Sequence, residues 1–142
     1  MFLTKECDYA IRVIRGLGSG NITSVKYICE SEHIPQQFAY KILKKLEKAG
    51  FVVSYRGSAG GYQLISDLNK ITLLDVVCSI DDQLVLNKCL IDGYFCPNNE
   101  KKDCCKVHHE LKRVQADLVA NLQSKTMKEI LASEVPQNSL VK

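Results

Sequence analysis

The sequence has no tryptophan and only three prolines, and it lacks a long hydrophobic run. Its longest apolar stretch, ITLLDVVCSI, contains Asp75 and is too short to span a bilayer. The opening residues, MFLTKECDYA, carry acidic residues and a polar break where a signal peptide needs an apolar core. These absences predict a cytoplasmic protein. In that compartment, clustered cysteines are more often metal ligands or redox centres than disulfides.

The sequence also lacks the motifs of common enzyme classes. It has no glycine-rich phosphate loop, no nucleophile elbow and no paired carboxylates suited to acid–base work. We therefore expect a protein that is not an enzyme. A length of 142 residues, with 46% hydrophobic and 25% charged residues, is ordinary for one globular domain with or without an extension.

Positive charge collects in the first half of the chain. Residues 1–66 carry nine Lys or Arg against five Asp or Glu, whereas residues 67–142 carry ten against eleven. The excess is greatest between Gln36 and Arg56, where five basic residues accompany a single acidic residue, Glu47. A basic patch of this kind is expected for a polyanion partner, although a solvated helix face gives the same pattern.

Periodicity and capping signals predict three helices followed by a β-hairpin. The first helix is capped by Thr4, the second begins at Thr23 or Ser24, and the third runs from Pro35 to a stop at Gly50. The segment FVVSYRGSAGGYQLI predicts the hairpin. This order is typical of a winged helix-turn-helix. The predicted fold class is therefore mainly α, with a winged helix-turn-helix DNA-binding domain and a long dimerisation helix.

The third helix is the predicted recognition helix, which enters the major groove of double-stranded DNA. Two glutamines and a tyrosine on its outer face can hydrogen-bond base edges, and two lysines are suited to phosphates. The wing adds an arginine and a serine that can reach a neighbouring minor groove. In chain order, the predicted DNA-binding residues are Gln36, Gln37, Tyr40, Lys41, Lys44, Arg56 and Ser58.

A fourth helix and an irregular loop are predicted after the wing. Thr72 and Asp75 have the spacing of a capping box at the start of ITLLDVV, and Cys78 is expected to be a small core residue of this helix. Residues 81–103 are rich in Gly, Pro and Asn, and a loop this long is usually functional or disordered.

Helical periodicity returns in the last part of the chain as one apolar stripe, formed by Val107, Leu111, Val114, Leu118 and Leu122. Little chain remains to cover this stripe, which predicts a symmetric homodimer; the alternative is that the helix folds back on its own chain. The predicted organisation is thus a DNA-binding domain with a linker helix at 1–80, a cysteine-rich cluster-binding loop at 81–103, a dimerisation helix at 104–125 and a flexible tail at 126–142.

Four of the seven cysteines and two of the three histidines lie in CLIDGYFCPNNEKKDCCKVHH, residues 89–109. The spacing from Cys89 to Cys96, and on to Cys104 or Cys105, is wider than the C-x₂-C pairs of zinc knuckles. Thiolates suit iron–sulfur clusters, zinc or copper, and spacing does not separate these possibilities. Cys105 and His108 stand one turn apart at a helix start, which favours Cys105 over Cys104 as the third ligand. Free thiols on a mobile loop are the alternative.

The combination resembles the family of bacterial iron–sulfur winged-helix transcription regulators that includes IscR and NsrR. The resemblance runs from about Leu3 to Leu122. It is carried by LTKECDYAIRVI, LEKAGFV, the wing RGSAGGYQL, ITLLDVV and the cysteine loop ending CKVHHEL. It implies a homodimer that binds an inverted-repeat operator and holds one cluster per subunit.

In the family's terms, the metal ligands would be Cys89, Cys96 and Cys105 plus a fourth group. His108 matches the histidine of IscR-like members and goes with a [2Fe–2S] cluster. Asp8 of the partner subunit matches the aspartate of NsrR-like members and goes with [4Fe–4S]. We favour His108, because C-x-x-H is intact and needs only its own chain, whereas Asp8 can pair with Arg12 at i, i+4.

The function that the resemblance implies is a DNA-binding transcription regulator whose operator affinity is set by an iron–sulfur cluster. The cluster would sense iron–sulfur status, oxygen or nitric oxide. The alternative is a zinc-binding structural regulator or metal-handling protein without redox sensing.

Overall fold

The computed structural model describes residues 3–82, 84–99 and 105–134. Helices dominate this part of the chain, with one small hairpin and two short 3₁₀ turns. In chain order the elements are α1 (Lys5–Gly16), α2 (Val25–Glu32), α3 (Gln36–Lys48), β1 (Val52–Tyr55), β2 (Gly61–Leu64), α4 (Leu73–Ile80), the 3₁₀ turns Lys88–Leu90 and Pro97–Asn99, α5 (Lys106–Gln123) and α6 (Met127–Ala132).

The first three helices form where the sequence predicts them. Thr4 caps α1 by accepting a hydrogen bond from the backbone N–H of Cys7, and Ser24 caps α2 in the same way from Tyr27. α1 packs against α2, α3 and α4. The largest fully buried side chains of α1, α2 and α3 are Val13, Ile14, Ile28, Ile42, Leu43 and Leu46, which fill the core.

A tight turn joins α2 to α3. His33 ends α2 in the left-handed region at φ 53°, and its backbone N–H bonds to the carbonyl of Cys29. Pro35 then precedes α3 in an extended conformation, where its missing N–H costs nothing. This turn sets α3 across α2 in the order of a helix-turn-helix.

The wing is an antiparallel hairpin, with register from Val52↔Leu64 to Tyr55↔Gly61. Gly61 lies against the segment before α2, and a Cβ at this position would come within 2.2 Å of the Thr23 carbonyl oxygen. Thr23 and Tyr62 form an isolated bridge there. Glycine at 61 is therefore required for the wing to dock on the helix-turn-helix, and the predicted winged-helix fold class is confirmed.

α4 begins with the predicted capping box. Asp75 Oδ2 accepts from the Thr72 backbone N–H at 2.8 Å, and Thr72 Oγ1 accepts from the Asp75 backbone N–H at 3.3 Å. The expectation for Cys78 is wrong, because its side chain is exposed. The inward face of α4 is taken by Val76, Val77 and Ile80, and Cys78 lies about 100° around the helix from Val77.

The predicted flexible tail from residue 126 is wrong over its first part. Thr126 and Glu129 form a second capping box that starts α6, and Met127 is fully buried in the main core. The backbone N–H of Met127 bonds to the Ile71 carbonyl at 2.7 Å. A single buried side chain carries no periodicity, so the pattern that locates long helices misses α6. Residues 135–142 lie outside the described part of the chain.

α5 occupies most of the predicted dimerisation segment, and no residue of this helix is buried within the chain. Val107 is 66% exposed and Val114 is 38% exposed. Of the helices in the described ranges, none is both long enough and apolar enough to cross a membrane.

We expect Met127→Ala to lower the free energy of unfolding by about 2–4 kcal/mol, because it leaves a cavity in the core beside Ile71. Leu131→Ala is the matched control on the same short helix. Leu131 is 38% exposed, so its truncation should cost less than about 1 kcal/mol. Urea unfolding at one protein concentration measures both. Equal costs would contradict the docking of α6.

Candidate nucleic-acid interface and thiol pocket

The outer face of α3 and the wing form one open groove of about 500 Å³. Every predicted DNA-binding residue is exposed, and Tyr40 is 44% exposed. Three of them, Gln36, Tyr40 and Arg56, line the groove, whereas the others lie on the exposed surface outside its lining. Several other residues that line the groove are not predicted from the sequence. They lie at the start of α2 or in the hairpin: Ser24, Val25, Lys26, Ser54, Tyr55 and Tyr62.

Lys41 differs from Lys44, the other predicted phosphate contact, because it is already paired. Its Nζ bonds to Glu6 Oε1, and Lys45 Nζ bonds to Glu6 Oε2 at 2.8 Å. Hydrogen bonds from Lys41 and then Lys45 hold the pKa of Glu6 below its usual value. The charge of Lys41 is thus partly compensated in the free protein. Lys44 and Arg56 form no ion pair with any residue in the described part of the chain, so their charges are available to DNA.

Side-chain hydrogen bonds fix the wing relative to the helices. Glu47 at the end of α3 accepts from the Ser54 backbone N–H at 3.1 Å and from its hydroxyl at 2.6 Å. Tyr55 Oη donates to Gln63 Oε1, and Gln63 Nε2 donates to the Gly20 carbonyl at 2.7 Å. These bonds tie the wing to the end of the recognition helix and to the segment after α1.

A second site lies between the irregular loop and the start of α5, in a pocket of about 440 Å³ that we call the thiol pocket. Cys89, Cys96, Cys105 and His108 all line it. Its remaining lining is partly apolar and consists of Asn87, Tyr94, Asn98, Val107 and Leu111. The loop thus brings together four residues that are spread over twenty positions of the sequence.

Each pocket residue is placed by a short local element. Cys89 sits in the 3₁₀ turn Lys88–Leu90, and Cys96 directly precedes the turn Pro97–Asn99. Cys105 is the N-cap of α5, where its Sγ accepts a hydrogen bond from the His108 backbone N–H at 3.4 Å.

His108 carries an unusual buried atom. Its Nδ1 has no hydrogen-bond partner, and no other buried side-chain nitrogen or oxygen of the described residues shares this condition. Buried polar atoms are normally paired, so an orphan at a thiol-lined pocket marks a candidate ligand atom. Among the described residues, however, no three Cys, His, Asp or Glu side chains converge closely enough to hold a single metal ion. The donors line the wall of a larger space instead.

The alternative ligands have different positions. Cys104 lies outside the described residues. Asp8 is exposed on α1 and pairs with Arg12 at 3.0 Å, which is the i, i+4 pair that the sequence allows. Asp8 does not line the thiol pocket of its own chain.

Fold and groove together define a winged-helix DNA-binding protein. The sequence profile of the Rrf2 family, described as iron-dependent transcriptional regulators, matches residues 3–133. The chain therefore belongs to the Rrf2 family of transcription regulators, in agreement with the resemblance to IscR and NsrR. The family consists of regulators, which supports the expectation that the chain is not an enzyme.

Individual relatives are distant but match over nearly the whole chain. Protein aau3 of Rhizobium meliloti is 28% identical over 144 residues, covering 99% of this chain and 92% of that protein. The structure of CymR, the global cysteine regulator of B. subtilis, superposes with a TM-score of 0.70 at 20% identity, covering 93% of this chain and 97% of CymR. T. potens IscR gives a TM-score of 0.67 at 21% identity, covering 90% and 84%.

We expect Lys44→Ala and Gln37→Ala to impair DNA binding in different ways. Loss of the unpaired Lys44 charge should weaken binding to every duplex and reduce the slope of log affinity against log salt by about 1. Loss of the Gln37 amide should cost about 1–3 kcal/mol on the preferred site and relax the choice at one base pair. Selection from a random duplex pool, followed by salt titration, measures both.

Lys112→Ala is the matched control for charge, because Lys112 is exposed on α5, away from the helix-turn-helix. It should change neither quantity. If Lys44→Ala and Gln37→Ala both bind like the parent, α3 is not the recognition helix.

Proposed function

We propose that this protein is a transcription regulator whose operator affinity is set by an iron–sulfur cluster in the thiol pocket. The ligands would be Cys89, Cys96, Cys105 and His108. The observation that carries the proposal is that these four residues line one pocket, with the buried Nδ1 of His108 left without a partner. The description of the family as iron-dependent supports it independently.

The residues present fit such a group. Thiolates and an imidazole are soft donors that iron–sulfur clusters accept. A pocket of about 440 Å³ is far larger than a single ion needs, and Tyr94, Val107 and Leu111 contribute apolar surface to its lining. When bound, the cluster would supply reactivity toward oxygen and nitric oxide, or its presence would signal that iron–sulfur clusters are in supply. The protein's own part is to hold the donors and to limit access.

His108 is the proposed fourth ligand rather than Asp8 of the partner subunit. His108 lies at the pocket and has a free buried nitrogen, whereas Asp8 is engaged by Arg12 on its own helix. A histidine ligand goes with a [2Fe–2S] cluster in this family, and an aspartate ligand with [4Fe–4S]. Cys104 stays an alternative to Cys105 as the third thiolate.

The thiol pocket is linked to the DNA-binding domain through the start of its loop. Asp81 follows α4 directly, and its Oδ2 accepts hydrogen bonds from Thr4 Oγ1 and Cys7 Sγ, both at 3.2 Å. Burial, with a contribution from the nearby Asp81, raises the pKa of the Cys7 thiol and keeps it protonated as the donor. A change in loop order would therefore act on α1, which packs directly on α3.

Zinc is the second candidate, since three thiols and an imidazole are also zinc donors. A zinc site would be structural and closed, and the protein would then regulate without redox sensing. Metal and sulfide analysis separates the two possibilities.

We expect protein purified without oxygen to be coloured and to contain iron and acid-labile sulfide. His108→Ala should lose or alter the absorbance, because it removes the proposed fourth donor. Asp8→Ala should leave the spectrum unchanged. The measurement is an anaerobic absorbance spectrum with iron, zinc and sulfide counts per chain.

Cys29→Ala is the matched control, because Cys29 is a free thiol of α2 outside the pocket. If instead Asp8→Ala alters the absorbance spectrum and His108→Ala leaves it unchanged, the fourth ligand is Asp8 of the partner subunit. Zinc without sulfide would replace the redox proposal by the structural one. Equal operator affinity with and without cluster would defeat the sensing role and leave DNA binding intact.

We also propose that two chains form a symmetric homodimer along α5 and bind an inverted-repeat operator in the cytoplasm. Val107 and Leu111 line the thiol pocket, which leaves Val114, Leu118 and Leu122 as the rest of the apolar stripe. Val114 is exposed, and Leu118 and Leu122 are only partly buried by their own chain, so a second copy is the natural cover for this face. A two-fold dimer places two α3 helices on related half-sites.

Val114→Glu should weaken dimerisation at least about tenfold, because a carboxylate would be buried without a partner. Lys112→Glu introduces the same side chain on a polar face of α5 and should leave the dimer unchanged. Sedimentation equilibrium over a range of concentrations measures both. A dimer unaffected by Val114→Glu would mean that α5 is not its interface.

A further inference from the structure

The side chain of Gln115 ties the irregular loop to α5. Its Oε1 accepts a hydrogen bond from the backbone N–H of Leu86 at 2.9 Å, and its Nε2 donates to the backbone carbonyl of Leu84 at 2.5 Å. Gln115 is half-buried. Its amide therefore satisfies a donor and an acceptor of one loop segment, as a neighbouring strand would.

This arrangement meets a need of the loop backbone. The described sheet contains only β1 and β2, so Leu84 and Leu86 have no strand neighbour in the described part of the chain. Half-buried backbone groups without partners are costly. Gln115 removes that cost and fixes one position of the loop on the helix.

The fixed point is close to the thiol pocket on both sides. Leu86 is followed by Asn87, which lines the pocket and is the N-cap of the 3₁₀ turn that carries Cys89. On α5, Gln115 lies on the same face as Leu111 and His108, which are four and seven residues earlier and also line the pocket. The amide therefore joins the chain segment of Cys89 to the helix face of His108.

We propose that Gln115 is a positioning residue for the thiol pocket: by holding Leu84–Leu86 on α5, its amide keeps Cys89 across the pocket from Cys105 and His108. The role rests on the proposed function, because it requires that the pocket binds a thiolate-ligated metal. Groups that orient ligands without touching the metal affect metal affinity strongly. Nothing about Gln115 as a residue type predicts this role, since a glutamine on a helix is ordinary.

A second contact shows why this segment is the one to hold. The loop leaves α4 at Asp81, which bonds to Thr4 and Cys7 of α1. The start of the loop is thus held by α1 at Asp81 and by α5 at Leu84 and Leu86. Gln115 fixes the end nearer the pocket. A displacement of the pocket and a displacement of α1 would therefore both act on this short segment.

Because the pocket donors line a space wider than one ion, cobalt binds only if the loop and α5 bring them together, which is the property that Gln115 is proposed to control. The test compares Gln115→Leu with Gln123→Leu in a cobalt titration of the full-length, metal-free protein under anaerobic conditions. Gln115→Leu keeps side-chain size and helix propensity but removes both hydrogen bonds. Gln123 lies on the same helix, exposed and outside the pocket, and is the matched control. We expect Co²⁺ affinity, read from thiolate-to-cobalt absorbance, to fall at least about tenfold in Gln115→Leu and to be unchanged in Gln123→Leu.

Gln115→Glu refines the test, because a carboxylate can still accept from the Leu86 N–H but cannot donate to the Leu84 carbonyl. It should give an intermediate cobalt affinity. A residue that only stabilised the fold would lower the unfolding midpoint and leave the affinity of the folded protein unchanged, which would overturn the proposal.

Hydrogen exchange on the metal-free protein gives a readout that does not involve metal. The Leu86 amide should exchange about fivefold faster or more in Gln115→Leu and at the parent rate in Gln123→Leu. If the parent binds cobalt and Gln115→Leu binds it with equal affinity, the positioning role alone is overturned. If the parent neither binds cobalt nor takes up iron and sulfide, even with a protected Leu86 amide, the metal pocket itself is overturned and this role with it.

Discussion

The packing of α1 is the constraint on which both candidate sites depend. Its buried face contacts the helix-turn-helix on one side and α4 on the other, so the orientation of α3 and the starting point of the cysteine loop are set by one helix. Polar residues at its N-terminal end reinforce this: Glu6 holds Lys45 of α3, and Thr4 holds Asp81. Burial of the apolar side chains stabilises this packing, and the hydrogen bonds fix how α3 and the start of the loop are oriented on α1. The fully buried residues of this face are Cys7, Ala10, Val13, Ile14 and Leu17.

Features that depend on neighbouring residues in the sequence could be predicted from it. The caps of α1, α2 and α4 are local hydrogen bonds with a fixed spacing, and each forms at the expected residue. The inner faces of α1 and α3 follow the helical period. The glycines of the sequence predict the turn of the wing, and a close backbone contact requires glycine at position 61. Local chemistry thus carries most of the winged-helix fold.

Features that depend on contacts far apart in the sequence could not be predicted. Lys41 meets Glu6 across thirty-five residues, so nothing near Lys41 signals that its charge is compensated. Met127 returns to the core from the far end of the chain, and its helix is too short to show a period. The cysteine loop has no period at all. Spacing and residue type still predict its cysteines and His108 as candidate ligands. The hydrogen bond between Gln115 and Leu86 is a tertiary contact, which no local pattern encodes.

The position of the thiol pocket, between the segment tied to α1 and the helix proposed to join two subunits, sets a thermodynamic condition on any sensing. A bound group changes operator affinity only by the difference between its own affinities for the DNA-bound and DNA-free protein. By linkage, the operator must change the affinity of the pocket by the same factor. Asp81, Leu84 and Leu86 are held by four described hydrogen bonds, each worth about 1 kcal/mol, so each bond that is made or broken would change the coupling about fivefold. A larger effect needs several of these bonds to change together, or a shift of α5 at the proposed subunit interface that would displace both recognition helices at once.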